Sequence, residues 1–164
     1  FKDSTVLATF AGSSFMTVFN AWYYSFSPTI ASTISGNEIL RDVMKVILYP
    51  LIGILHLSSM ASSLFSFNSE LGVVIAGLVA SSLIGVLYFM PWILLVSFLG
   101  KFKPSVKMIR LASLVWGYSV LAIILAEVAM STLLMMVATG TFILATICLT
   151  TLSAVKAISK HYVP

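Results

Sequence analysis

"LASLVWGYSVLAIILAEVAMSTLLMMVATGTFILATICLTTLSAV", residues 111–155, holds a single charged residue, Glu127, in 45 positions. A helix that crosses the hydrocarbon core of a bilayer needs about 20 apolar residues. The stretch is too long for one crossing and suits two, so it predicts a helical hairpin. The turn is weakly marked. "EVAMST", residues 127–132, is the best site, with Ser131 or Thr132 as the cap of the last helix. Gly140 is the alternative break.

The flanks of this stretch are basic. "GKFKPSVKMIR", residues 100–110, carries Lys101, Lys103, Lys107 and Arg110 with no acid, and Lys156 and Lys160 follow the last apolar run. Short loops rich in Lys and Arg stay on the cytoplasmic side of a membrane. Composition agrees with a membrane setting. The chain of 164 residues is 60% hydrophobic and 9% charged, where a soluble domain carries about 25% charged residues. The net charge of +4 comes from nine Lys and Arg against five Asp and Glu. These bases flank apolar segments, which makes them topology determinants and headgroup anchors, not a nucleic-acid surface. The lone Cys148 excludes an intrachain disulfide or a cysteine-based metal cluster and is expected to be a buried, inert thiol.

Upstream of the basic loop, residues 70–98 form another apolar segment with a kink expected at Pro91. Gly77, Ser81 and Gly85 recur in it at intervals of four, a spacing that lets another helix approach closely. Before it, a segment from Glu38 to about Phe65 has a wet start at Arg41, Asp42 and Lys45. Pro50 is expected to kink it, because it lacks an amide hydrogen and crowds the Val46 carbonyl, and a turn follows at Asn68 and Ser69. Asn37 is placed to cap this segment, with Glu38 in its first turn.

The first 36 residues differ in character. Leu7, Ala11, Phe15, Val18, Phe19, Trp22 and Phe26 recur every three or four residues, while Thr9, Ser13, Thr17, Asn20 and Tyr24 lie on the other side. This predicts an amphipathic helix lying in the interface, capped by Asp3 or Ser4, with Trp22, Tyr23, Tyr24 and Phe26 anchored at headgroup depth. A tilted spanning helix is the rival reading. Ser27-Pro28 is expected to turn the chain, starting a short helix that Gly36 ends. The chain starts with Phe and shows no signal peptide, so it is expected to begin inside a longer product.

The fold class expected is therefore an all-α integral membrane protein: four transmembrane helices preceded by an amphipathic interfacial helix. Residues 1–36 form that helix and the Ser-Pro corner, and residues 37–164 the bundle. The spans fall at about 44–66, 71–98, 108–128 and 132–155. The basic clusters then share one face, the turns near Asn68 and Met130 share the other, and both termini are cytoplasmic, in a multi-pass protein of the cell membrane.

Candidate chemistry is sparse. Glu127 is a carboxylate near a membrane boundary, which suggests a proton or cation site or a polar contact to a partner. A solvated turn residue explains it equally. His56 has no second histidine near it in sequence, and a metal needs several converging donors. A hydrogen-bonded histidine in the bundle suffices. Tyr23 and Tyr24 lack any paired base, and aromatic anchoring accounts for them. Of the eight Met residues only Met135 and Met136 are adjacent, which is weak support for copper. No P-loop, GxSxG, HExxH or dinucleotide fingerprint is present.

Residues 1–32, "FKDSTVLATFAGSSFMTVFNAWYYSFSPTIAS", and residues 40–55, "LRDVMKVILYPLIGIL", resemble the CFI-box C-terminal domain proteins of archaea and some bacteria. Phe1-Lys2-Asp3 matches that family's Phe-Arg/Lys-Asp step. Tyr23, Tyr24, Ser27 and Pro28 match its Tyr-Tyr-x-x-Ser-Pro step, and Leu40-Arg41 its membrane-entering helix. The Cys-Phe-Ile box itself does not occur in the sequence. The resemblance covers about the first third of the chain and implies an archaeal, membrane-anchored surface or envelope module without catalysis.

Together these readings predict a non-catalytic membrane subunit or anchor. It would hold no cofactor or metal, bind lipid, and pack against other membrane proteins through the Gly77–Ser81–Gly85 face. Two alternatives remain: an accessory subunit of an archaeal membrane metalloenzyme such as ammonia monooxygenase, and a small transporter using Glu127 and His56.

Overall fold

A computed structural model describes residues 9–65, 68–99 and 104–162 of the chain. Among them there is no strand. The helices are α1 (Phe10–Ser35), α2 (Glu38–Ser63), α3 (Ser69–Ile84), α4 (Met90–Phe98), α5 (Val106–Val128) and α6 (Thr132–Tyr162), with a π-helical turn, Gly85–Phe89, joining α3 to α4. Four helical stretches are long and apolar enough to cross a membrane: Glu38–Ser63, Ser69–Phe98, Val106–Val128 and Thr132–Ser159. The chain is an all-helical, multi-pass membrane protein, and a helix precedes its four candidate spans.

Short polar side chains begin the helices. The Asn37 side chain accepts from the N–H groups of Ile39 and Leu40, and that of Asn68 from Leu71. Ser105 accepts from Met108 at 3.3 Å. Each cap satisfies amides that have no partner within their own helix. The hairpin turn lies at 129–131, inside the expected stretch, and Ser131 caps α6 by accepting from Leu134 at 3.4 Å. Met130 takes a left-handed φ of 48°. Ser131 N–H donates to the Ala126 carbonyl and Met130 N–H to that of Glu127, the paired bonds of a Schellman ending. Gly140 is interior to α6 and breaks nothing.

One proline expectation changes. Pro28 lies inside α1, which continues unbroken to Ser35. There is no Ser-Pro corner; one helix covers both pieces. Proline removes only one amide donor, and the turns on either side are retained. At Pro91 the helix makes a π turn immediately upstream, Met90 N–H donating to the Gly85 carbonyl. A wider turn is one way to accommodate a residue that cannot donate. The α1 cap is Thr9, whose Oγ1 accepts from Gly12 N–H at 3.1 Å. Asp3 and Ser4, expected in that role, lie outside the described residues.

The core is built on α6. Ile123 and Ala126 of α5 pack with Met135, Ala138 and Phe142 of α6, and Ala11 of α1 completes the cluster. Trp116 lies against Phe142 with ring centroids 5.9 Å apart and donates from Nε1 to Thr146 Oγ1 at 3.0 Å. α2 packs on α3 through small residues: Ser58, Ser62, Gly72 and Ala76 are all buried. Tyr88, in the π turn that follows α3, adds a tie to α2 by donating its hydroxyl to the Ile47 carbonyl.

Candidate functional site

The richest convergence of polar groups lies where α1 enters the bundle. Its backbone amides at Phe10 and Ala11 both donate to the carboxylate of Glu70, in the first turn of α3; the Ala11 bond is 3.3 Å. The N-terminus of a helix carries unpaired amides and partial positive charge, so a carboxylate there is a matched partner. Glu127, in the last turn of α5, is close enough to Glu70 for the two charges to act on one another. Ser14, one turn further along α1, is buried. α1 is thus held at its start by both a polar clamp and apolar packing.

Below the clamp lies a cavity of about 200 Å³ bounded by α1, α2, α3, α5 and α6. Ala11, Phe15, Leu55, Gly77, Thr139 and Phe142 are among its walls. Its hydroxyls are already engaged: Thr139 donates to the Met135 carbonyl at 2.7 Å and Ser58 to that of Leu55 at 2.9 Å. The cavity therefore presents hydrocarbon and offers nothing to position or activate a polar reactant.

The residues singled out from sequence do not form a single site. His56 is exposed on α2, which packs on α1 and α3; Glu127 is half-buried at the end of α5. No group of three or more His, Cys, Asp or Glu able to hold a metal occurs among the described residues. Cys148 is exposed, contrary to the expected buried thiol, because it lies on the outer side of α6. Met135 is fully buried as core and Met136 is half-buried.

The small-residue face is used inside the chain. A Cβ on Gly85 would collide with Thr150 Oγ1 and lie 2.9 Å from the Ile147 carbonyl oxygen, and Thr151 Oγ1 donates to the Gly85 carbonyl at 3.0 Å. Ser81 is 2% exposed. α6 of the same chain thus fills the close approach that had been expected to receive another subunit. Gly77 has open space around it and faces the cavity.

Tyr23 and Tyr24 sit in an aromatic series along α1. Phe15 stacks on Phe19 at 5.9 Å and Phe19 on Tyr23 at 6.0 Å, and Tyr23 meets Tyr24 and Phe26 edge-on at 5.5 and 5.9 Å. Tyr24 is 67% exposed. The side chain of Trp22 lies outside the described residues.

Glu70 is the contact that sequence reasoning missed as a clamp. Its position in a first turn was visible, but its partner lies 60 residues away in the chain. No family model matches this chain, nor does any curated protein or solved structure.

Proposed function

We propose that this chain is a non-catalytic integral membrane subunit that packs against other membrane proteins, with α1 as the element that meets them. The carrying observation is the second half of α1. Beyond Thr17 the helix leaves the cover of its own bundle, and it displays Tyr23 and Tyr24 at 43% and 67% exposure. Lipid chains satisfy the exposed Leu, Ile and Val of the other helices. They do not satisfy phenol groups, which seek a partner with an apolar body and a polar edge. The lack of convergent reactive groups around the cavity supports a role in assembly. The basic 101–110 loop supports placing that end of the bundle on the cytoplasmic side. The resemblance to the CFI-box proteins belongs to this proposal, and their Tyr-Tyr-x-x-Ser-Pro step falls on the same exposed half of α1.

A photo-crosslinking residue in place of Tyr24, activated in native membranes, tests this reading. A discrete adduct with another membrane polypeptide, or with a second copy, is expected. Adducts with lipid alone would overturn it.

A further inference from the structure

We propose that α1 is a fifth membrane-crossing helix, antiparallel to α2, so that its start lies on the side opposite the basic 101–110 loop. The observation is register. At one end, Ala11 and Phe15 share the cavity wall with Ser58 and Leu55 of α2. At the other, Ile30 and Ile34 line a groove with Met44 and Leu40 of α2. Between these two ends the numbering of the two helices runs in opposite directions. Only Gly36 and Asn37 separate them. Each helix has 26 residues, about 39 Å of axial length at ~1.5 Å per residue. Two helices of equal length, joined at one end and level at the other, cover the same depth. If α2 crosses the bilayer, α1 crosses it too.

The clamp fixes the same conclusion from the far side. Glu70 follows the α2–α3 turn, at the end of the bundle remote from Arg41 and Lys45, and it holds the first two amides of α1. A helix lying flat beside Arg41 could not place Phe10 there.

The Ser and Thr hydroxyls of α1 that argue against a crossing are bonded in place. Ser13 donates to the Phe10 carbonyl, Thr17 to Ser13, Ser32 and Thr33 to Thr29, and Ser35 to Ser32. A hydroxyl bonded to its own helix does not carry the full penalty of an unpaired group in hydrocarbon. Asn20 and Tyr24 fall near mid-depth, which places the exposed polar edge of α1 where a partner helix can cover it. The crossing itself rests on register and on the Glu70 clamp, and not on the proposed function. It replaces the expectation that both termini share the cytoplasmic side.

The test uses the full chain carrying Cys148→Ala. Single cysteines at Ser4, Ser69 and Ser105 are exposed to an impermeant maleimide on sealed vesicles. Ser4→Cys is expected to follow Ser69→Cys and to oppose Ser105→Cys. Following Ser105→Cys would overturn the proposal. A second measurement covers the case in which Ser4→Cys does not react. Fluorophores at Ser13, Ala21 and Ser32 are quenched by lipids brominated at different depths. A crossing gives the deepest position at Ala21 with both flanks shallower. A flat profile at headgroup depth would overturn it.

Discussion

The contact between Gly85 and α6 shows how much one hydrogen can decide. The backbone of the π turn meets Thr150, Thr151 and the Ile147 carbonyl so closely that a methyl group has no room. Thr150 Oγ1 could rotate away, but the Ile147 oxygen belongs to the α6 backbone and cannot. Gly85→Ala is therefore expected to destabilise the bundle by about 1–3 kcal/mol, the usual range for overpacking. The shift of its unfolding midpoint in a detergent titration measures this. Gly77→Ala is the control: it adds a methyl group to open space inside a helix and is expected to hold or raise the midpoint. Met130 makes the opposite case. It holds a left-handed φ at an exposed turn, where a side chain is disfavoured by roughly 1–2 kcal/mol. Met130→Gly removes that strain, less the conformational freedom glycine gains on unfolding. A gain of about 0.5–1 kcal/mol in the same titration is expected.

At the scale of elements, α1 stands out because its two halves are held so differently. The first turns are clamped by Glu70 and packed against α6; the rest is mostly exposed. Glu70→Ala removes an ionised acceptor from two amides, an interaction worth about 1.5–3 kcal/mol for charged hydrogen bonds. The expected outcome is a loosened α1 with the other helices in place. A cysteine at Ser14, which is 3% exposed, reports it in the Cys148→Ala background through faster maleimide labelling. Glu70→Gln keeps one acceptor oxygen and is expected to fall between. An unchanged rate in Glu70→Ala would show that packing alone holds α1. The element order itself was legible in sequence. Asn37, Asn68, Ser105 and Ser131 act through local bonds that sequence displays directly. Pro28 was misread because proline marks a missing donor, while the continuation of the helix depends on the turns around it. The burial of Ser81 and Gly85 within the chain was illegible for another reason: a small-residue spacing announces a close approach without naming the helix that makes it. Glu70 and the first amides of α1 meet only through tertiary packing, and no local pattern records that meeting.

For the whole molecule, the decisive question is whether the bundle offers a polar path from one face to the other. Transport of an ion requires successive oxygens, or a wet cavity, along the crossing. Here the inner hydroxyls are already bonded within the bundle. Thr146 donates to the Phe142 carbonyl, Thr150 to Thr146, and Thr151 to Ile147 and Gly85. No buried side-chain nitrogen or oxygen among the described residues lacks a partner, so none is left waiting for a cation. The cavity beside α1 is walled with hydrocarbon, and no group of three or more His, Cys, Asp or Glu that could hold a cation occurs among the described residues. A carboxylate can hold a proton or attract an ion, but it does not by itself carry either past apolar walls. Purified protein in liposomes is therefore expected to conduct protons, sodium and potassium no faster than protein-free vesicles. Glu127→Gln and His56→Gln should leave that baseline unchanged. A flux above baseline that Glu127→Gln abolishes would establish the transporter reading instead, and would require the cavity to open and fill with water during the cycle.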